Sequence, residues 1–115
     1  MKRVKKITMK RAKGISDIIP SDKQVVYIAG KVSNLPRLEV LRNFLKAEKE
    51  LHGRGFAVIN PVRLVHPEAQ WQDAMRICIS ALTHANYIFL LSNWKDSEGA
   101  KLEAELADKL GIVRM

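Results

Sequence analysis

From Gln24 onward, short apolar runs alternate with longer stretches in which apolar residues return every three or four positions, which predicts strands separated by helices. Val25-Val26-Tyr27-Ile28-Ala29 is β-branched and aromatic and ends at Gly30, the profile of a strand buried on both faces. Pro36 then stands where a first helical turn tolerates it, and Leu38, Leu41 and Leu45 with Phe44, Ala47 and Leu51 predict an amphipathic helix closed by Gly53. Residues 56–59 form a second apolar run that Asn60-Pro61 stops. Residues 62–70 have no period and predict an irregular loop. Helical spacing resumes at Trp71 through Ala74, Met75, Cys78, Ile79 and Leu82. Asn86 opens a third strand over residues 87–91, the most strand-like run in the chain. A polar turn over residues 92–99 leads to a helix over residues 100–110 capped by Gly111, and Ile112-Val113 can supply a brief fourth strand.

Strands that alternate with helices imply an α/β domain with a parallel sheet, and right-handed crossovers limit how it is wound. The expected architecture is a flavodoxin-like or Rossmann-like three-layer sandwich, its four-stranded, mostly parallel sheet ordered two, one, three, four. Crossovers in that order leave strands one and three on opposite sides and open a crevice at their C-terminal ends. Its predicted rim is Gly30, Lys31 and Val32 after strand one, and Asn93, Trp94 and Ser97-Glu98-Gly99-Ala100 after strand three. Asn60 lies nearby, after strand two.

Composition adds a division of the chain. The 115 residues suffice for one domain, and 47% hydrophobic residues exclude wholesale disorder. The net charge of +8 is concentrated between Met1 and Lys13, where seven basic residues meet no acid. The remaining 13 basic residues face all 12 acids, so the body is nearly neutral. Residues 1–23 are therefore read as a basic, flexible arm and linker, and residues 24–115 as the folded domain. The arm can hold phosphate backbones by counterion release, which makes nucleic acid a possible partner, but blocks of like charge without interleaved aromatics are more often solvated. Cys78 is the sole cysteine, and His52, His66 and His84 lack ligand spacing, so neither a disulfide, a metal site nor a cofactor is expected. A reducing cytoplasm fits the lone thiol. The apolar runs are too short to cross a bilayer, and no membrane partner is expected.

Candidate chemistry gathers at the rim. Ser97 is placed to cap the helix that follows, whose N-terminus attracts anions, although capping alone explains such a serine. Glu103 lies about one turn further in and can act as nucleophile or base if it faces the crevice, whereas most helical glutamates are solvated and Glu105 points elsewhere. Tyr27 packs in the core or reaches a ligand with its hydroxyl. Lys31 meets a phosphate or faces water, and Trp94 stacks on a planar base or covers the core edge.

Taken together, Tyr27-Ile28-Ala29-Gly30, Asn60-Pro61, Trp71 and Asn93-Trp94-x-x-Ser97-x-Gly99-Ala100-x-x-Glu103 resemble the nucleoside 2-deoxyribosyltransferase superfamily, particularly its small phage and bacterial members. The likeness covers roughly Gln24 to Gly111 and implies the fold already derived. It also implies that Glu103 attacks the anomeric carbon of a deoxyribosyl group, oriented by Tyr27, and passes the sugar to water or to another base. Transferases of that superfamily usually carry an aspartate six residues before the glutamate. Ser97 stands there, as in deoxynucleoside 5′-monophosphate N-hydrolases, where the serine helps hold the phosphate. Gly30 and Lys31 would border sugar or phosphate. Two acids of the superfamily are replaced: Cys78 stands where an aspartate handles the leaving base, and Asn86 where a second acid precedes strand three. Asp73 lies one turn before Cys78 as a substitute. Relatives bury the helix before strand three in a homodimer, and Trp71, Met75 and Ile79 are spaced for such a face.

The resulting expectation is N-glycosidic cleavage of a deoxynucleoside 5′-monophosphate. Two alternatives accompany it: a non-catalytic nucleotide-binding module, and a nucleic-acid accessory protein that uses the basic arm.

Overall fold

The computed structural model describes residues 22–115. The basic arm and most of the linker read from the sequence lie outside the described residues. The order is β1 (Val25–Ala29), α1 (Arg37–Gly53), β2 (Ala57–Ile59), a 3₁₀ turn (Pro61–Arg63), α2 (Trp71–Leu82), β3 (Tyr87–Leu90), a second 3₁₀ turn (Trp94–Asp96), α3 (Glu98–Leu110) and β4 (Val113–Arg114). All pairings are parallel, and the sheet order is β2-β1-β3-β4, the architecture expected from the pattern.

The period of two along β1 divides the core. Val26 and Ile28 pack on one side with Val40, Phe44, Ala47 and Leu51 of α1. Val25, Tyr27 and Ala29 pack on the other with Cys78, Ala81 and Leu82 of α2 and Ala100 and Ala107 of α3. Both faces of the central strand are thus covered, which is why β1 carries apolar residues without alternation. The chain passes from β1 to β2 through α1, then returns across β1 to β3 through α2. This reversal sets α1 opposite α2 and α3 and leaves the crevice at the C-terminal ends of β1 and β3.

Several local expectations are corrected. Leu38, Leu41 and Leu45 do not face the core; they are 71%, 38% and 40% exposed. Both leucine and core rows have helical spacing, and they lie about 120° apart around α1, so periodicity alone does not choose between them. Tertiary packing selects the row that also contains Phe44. Helix α1 ends at Gly53, as expected, but the left-handed residue that turns the chain into β2 is Gly55, at φ 94°. Helix α3 starts at Glu98, two residues before the expected start, because Ser97 caps it: its Oγ accepts the Ala100 N–H at 3.1 Å. The last strand is shifted by one residue from Ile112-Val113 to Val113–Arg114, while Gly111 takes the expected left-handed cap at φ 75°. Met75 of the expected dimer face is buried within the monomer, whereas Trp71 is 47% exposed. Among the described residues, no helix is long and apolar enough to cross a membrane.

Candidate functional site

A cavity of about 620 Å³ opens at the C-terminal end of β1, within the size range of small-molecule sites. Its buried end holds Tyr27 from β1, Cys78 from α2 and Glu103 from α3. Gly30, Ser33 and Leu35 of the loop after β1 and Arg37 at the start of α1 form one wall. Residues 65–67 and 69–71 form another, and Ser97, Gly99 and Ala100 contribute the N-terminal turn of α3.

The Tyr27 hydroxyl donates to Glu103 Oε2 at 2.7 Å, and both residues are buried, at 0% and 5% exposure. The sequence explains the encounter. Tyr27 occupies the central strand on the face covered by α3, and Glu103 follows Ala100 by three residues, on the stripe of α3 that contains Ala100, Ala104 and Ala107. Small alanines let the helix approach the sheet closely enough for the carboxylate to meet the phenol. Burial disfavours the charged carboxylate and pushes Glu103 up to about 7, against an ordinary value of 4.5, while the Tyr27 hydrogen bond acts in the opposite sense. Near neutrality the group therefore exchanges between acid and carboxylate. Burial and the neighbouring Glu103 charge raise Tyr27 well above the usual tyrosine range, so it remains a hydrogen-bond donor. Burial similarly raises the Cys78 thiol to about 11, with the Glu103 charge adding to the effect. Cys78 thus lines the buried end of the cavity as a neutral thiol.

Seven of the twelve residues expected at the crevice line the main cavity: Tyr27, Gly30, Val32, Ser97, Gly99, Ala100 and Glu103. Lys31 and Glu98 line an adjoining cavity of about 380 Å³ that shares Ser33, Trp71, Ser97 and Gly99 with the first. Gly30 permits a close approach, because a Cβ there would fall 2.5 Å from Leu91 Cδ1. The other three serve the scaffold. Asn93 Oδ1 accepts the Lys31 backbone N–H at 3.0 Å and ties the β1 and β3 loops together. Trp94 is half-buried against the core edge beneath Lys95 and Arg114, the packing alternative of the two read for it. Asn60 accepts the Val62 N–H at 3.0 Å and donates to Glu48 Oε1 at 2.9 Å, away from the cavity. Asn86 lies at the opposite end of the sheet, where its Oδ1 accepts the Val25 N–H at 2.8 Å. Asn86 is therefore remote from the crevice, whereas Cys78 lies inside it. Asp73 is exposed and does not line the cavity, and Glu105 is exposed, as expected.

Two features escaped the sequence reading. Residues 62–70 had no helical or strand period, yet Val62, Val65, His66, Pro67, Ala69 and Gln70 line the cavity. That loop is anchored by Arg63, which donates to both carboxylate oxygens of Glu48 at 2.8 Å and holds Glu48 below its ordinary range. Arg37 was also missed, since a charged residue at a helix start is ordinarily solvated. Proline before it and position at the crevice were the available signals.

Fold and site together define a small doubly wound α/β domain with a carboxylate–phenol pair buried at its switch-point crevice. A family model described as a domain of unknown function (DUF4406) matches residues 24–115, and the chain belongs to that family. No curated protein and no solved structure matches the chain.

Proposed function

We propose that the chain is a deoxyribosyltransferase-like N-glycosidase that hydrolyses a deoxynucleoside 5′-monophosphate to free base and deoxyribose 5-phosphate. The observation that carries this reading is the buried Tyr27–Glu103 pair, 2.7 Å between hydroxyl and carboxylate, at the closed end of the cavity. A glutamate with a value of about 7 is substantially ionised at neutral pH and sheltered from bulk water, which suits attack on an electrophilic sugar carbon. Tyr27 fixes which oxygen is free to react.

In the proposed reaction the unbonded Glu103 oxygen attacks C1′, the C1′–N bond breaks, and its electron pair leaves with the base, which takes a proton from solvent. Water then adds at C1′, restores the Glu103 carboxylate and gives its proton to solvent. The first turn of α3, with Ser97, Gly99 and Ala100 at the cavity wall, faces the end of the sugar that carries phosphate. Lys31 in the adjoining cavity supplies positive charge beside the same turn.

One observation favours nucleotide binding without turnover: the Cys78 thiol, raised to about 11, is a poor proton donor to a departing base. Incubation with each deoxynucleoside 5′-monophosphate, followed by chromatography for free base, separates the readings. The hydrolase reading predicts release by the wild type and none by Glu103→Ala. Calorimetric binding without release would establish the binding module instead.

A further inference from the structure

The loop between the Pro61–Arg63 turn and α2 brings His66 and Gln70 to the cavity together with Pro67. The backbone N–H of Glu68 donates to His66 Nδ1 at 3.1 Å. Since Nδ1 is committed as an acceptor, the proton of the neutral imidazole resides on Nε2, which makes that nitrogen a hydrogen-bond donor. The loop holding it is braced at its start by Asn60 and by the Glu48–Arg63 pair. Cys78 sits as a neutral thiol at the buried end of the cavity, so a donor on the loop wall is placed to offset charge that develops on the base.

Resting on the reading of this cavity as a deoxynucleotide site, we propose that His66 is a specificity-determining residue that selects a purine by donating from Nε2 to N7. As the C1′–N9 bond breaks, electron density rises on the purine ring nitrogens, so a hydrogen bond to N7 strengthens towards the transition state. Pyrimidines present a C5–H or, in thymine, a C5-methyl at the corresponding edge and offer no such acceptor. Gln70 carries both an amide donor and an acceptor and serves either purine 6-substituent, so the pair selects purine over pyrimidine without separating adenine from guanine.

The test compares base release from dGMP, dAMP, dCMP, dTMP and 7-deaza-dGMP by the full chain and by His66→Phe and His66→Gln. Expected are faster release from both purines than from pyrimidines, and a roughly 10- to 100-fold loss on purines in His66→Phe with pyrimidines unchanged. His66→Gln, which keeps an N–H donor, should recover part of that loss. Removing N7 in 7-deaza-dGMP should slow the wild type by a similar factor and have no further effect in His66→Phe. Equal release of dGMP and 7-deaza-dGMP by the wild type, or an equal loss on purines and pyrimidines, would overturn the proposal. Absence of release from every nucleotide defeats the hydrolase reading by itself. In that case calorimetry decides on His66: tighter binding of dGMP than of 7-deaza-dGMP, abolished in His66→Phe, supports the contact, and equal binding refutes it.

Discussion

At the scale of single residues, the decisive feature is a carboxyl group placed where its charge is costly. Glu103 titrates at about 7 when folded and near 4.5 when exposed, so between those values the unfolded chain releases a proton that the folded chain retains. The stabilising contribution of the neutral carboxyl is complete below pH 4.5, falls as pH rises towards 7 and is lost above it. That interval corresponds to roughly 3 kcal/mol. Glu103→Gln, which keeps the shape without the charge, should therefore stabilise the protein by up to about that amount above pH 7 and by little at pH 4. Urea unfolding at the two pH values measures this, and an equal effect at both would show that burial does not control the group. The same titration predicts a rate of base release that rises with pH through about 7, because the nucleophile has to be ionised. Tyr27→Phe removes the hydrogen bond that favours the carboxylate and should move that rise to higher pH. The titrating groups beside the carboxylate are Tyr27, which donates to it, and Cys78, which feels its charge, and both remain neutral across this range.

At the scale of elements, the site is a meeting of one strand end, two helices and a loop, and these differ in how far the sequence announces them. The apolar run at Val25–Ala29 specifies a central strand because both its faces are buried. The N-cap at Ser97 and the left-handed cap at Gly111 specify the limits of α3, since each supplies hydrogen bonding or backbone conformation that other residues supply poorly. That Glu103 faces inward did not follow from its spacing; it follows from the alanines beside it, which mark the packed stripe of α3. The loop over residues 62–70 was legible as a loop, but its place in the cavity was not, because its shape depends on side-chain contacts that no period records: Arg63 on Glu48, and Asn60 on both Glu48 and Val62. A strand-end asparagine read as a ligand contact proved to be a brace. Asn60→Ala removes the hydrogen bond to Val62 N and one to buried Glu48, and should cost about 1–2 kcal/mol of stability. Thermal or urea unfolding checks that loss. Retention of full stability would mean that Arg63 alone secures the loop.

For the whole molecule, the strand order carries the functional argument further than any motif does. Reversal of the winding at β1 creates a crevice at the C-terminal ends of β1 and β3, and the cavity lies there. Four of its contributors, Tyr27, Cys78, His66 and Glu103, come from four separate parts of the chain and meet only in the folded domain. The sheet order was readable because alternating strands and helices permit few windings. Assignment of each rim residue was not, because side chains after parallel strands are divided between ligand and neighbouring loop by contacts a linear pattern does not record. Asn93 illustrates this, being taken up by the Lys31 amide.

The central claim, that Glu103 attacks the sugar, is tested most directly by intact-mass and peptide analysis of protein quenched in acid during turnover of a purine deoxynucleoside 5′-monophosphate. The account predicts a deoxyribose 5-phosphate adduct on the peptide that contains Glu103, absent from Glu103→Ala. Base release by Glu103→Ala at the wild-type rate, with no adduct on the wild type, would contradict it.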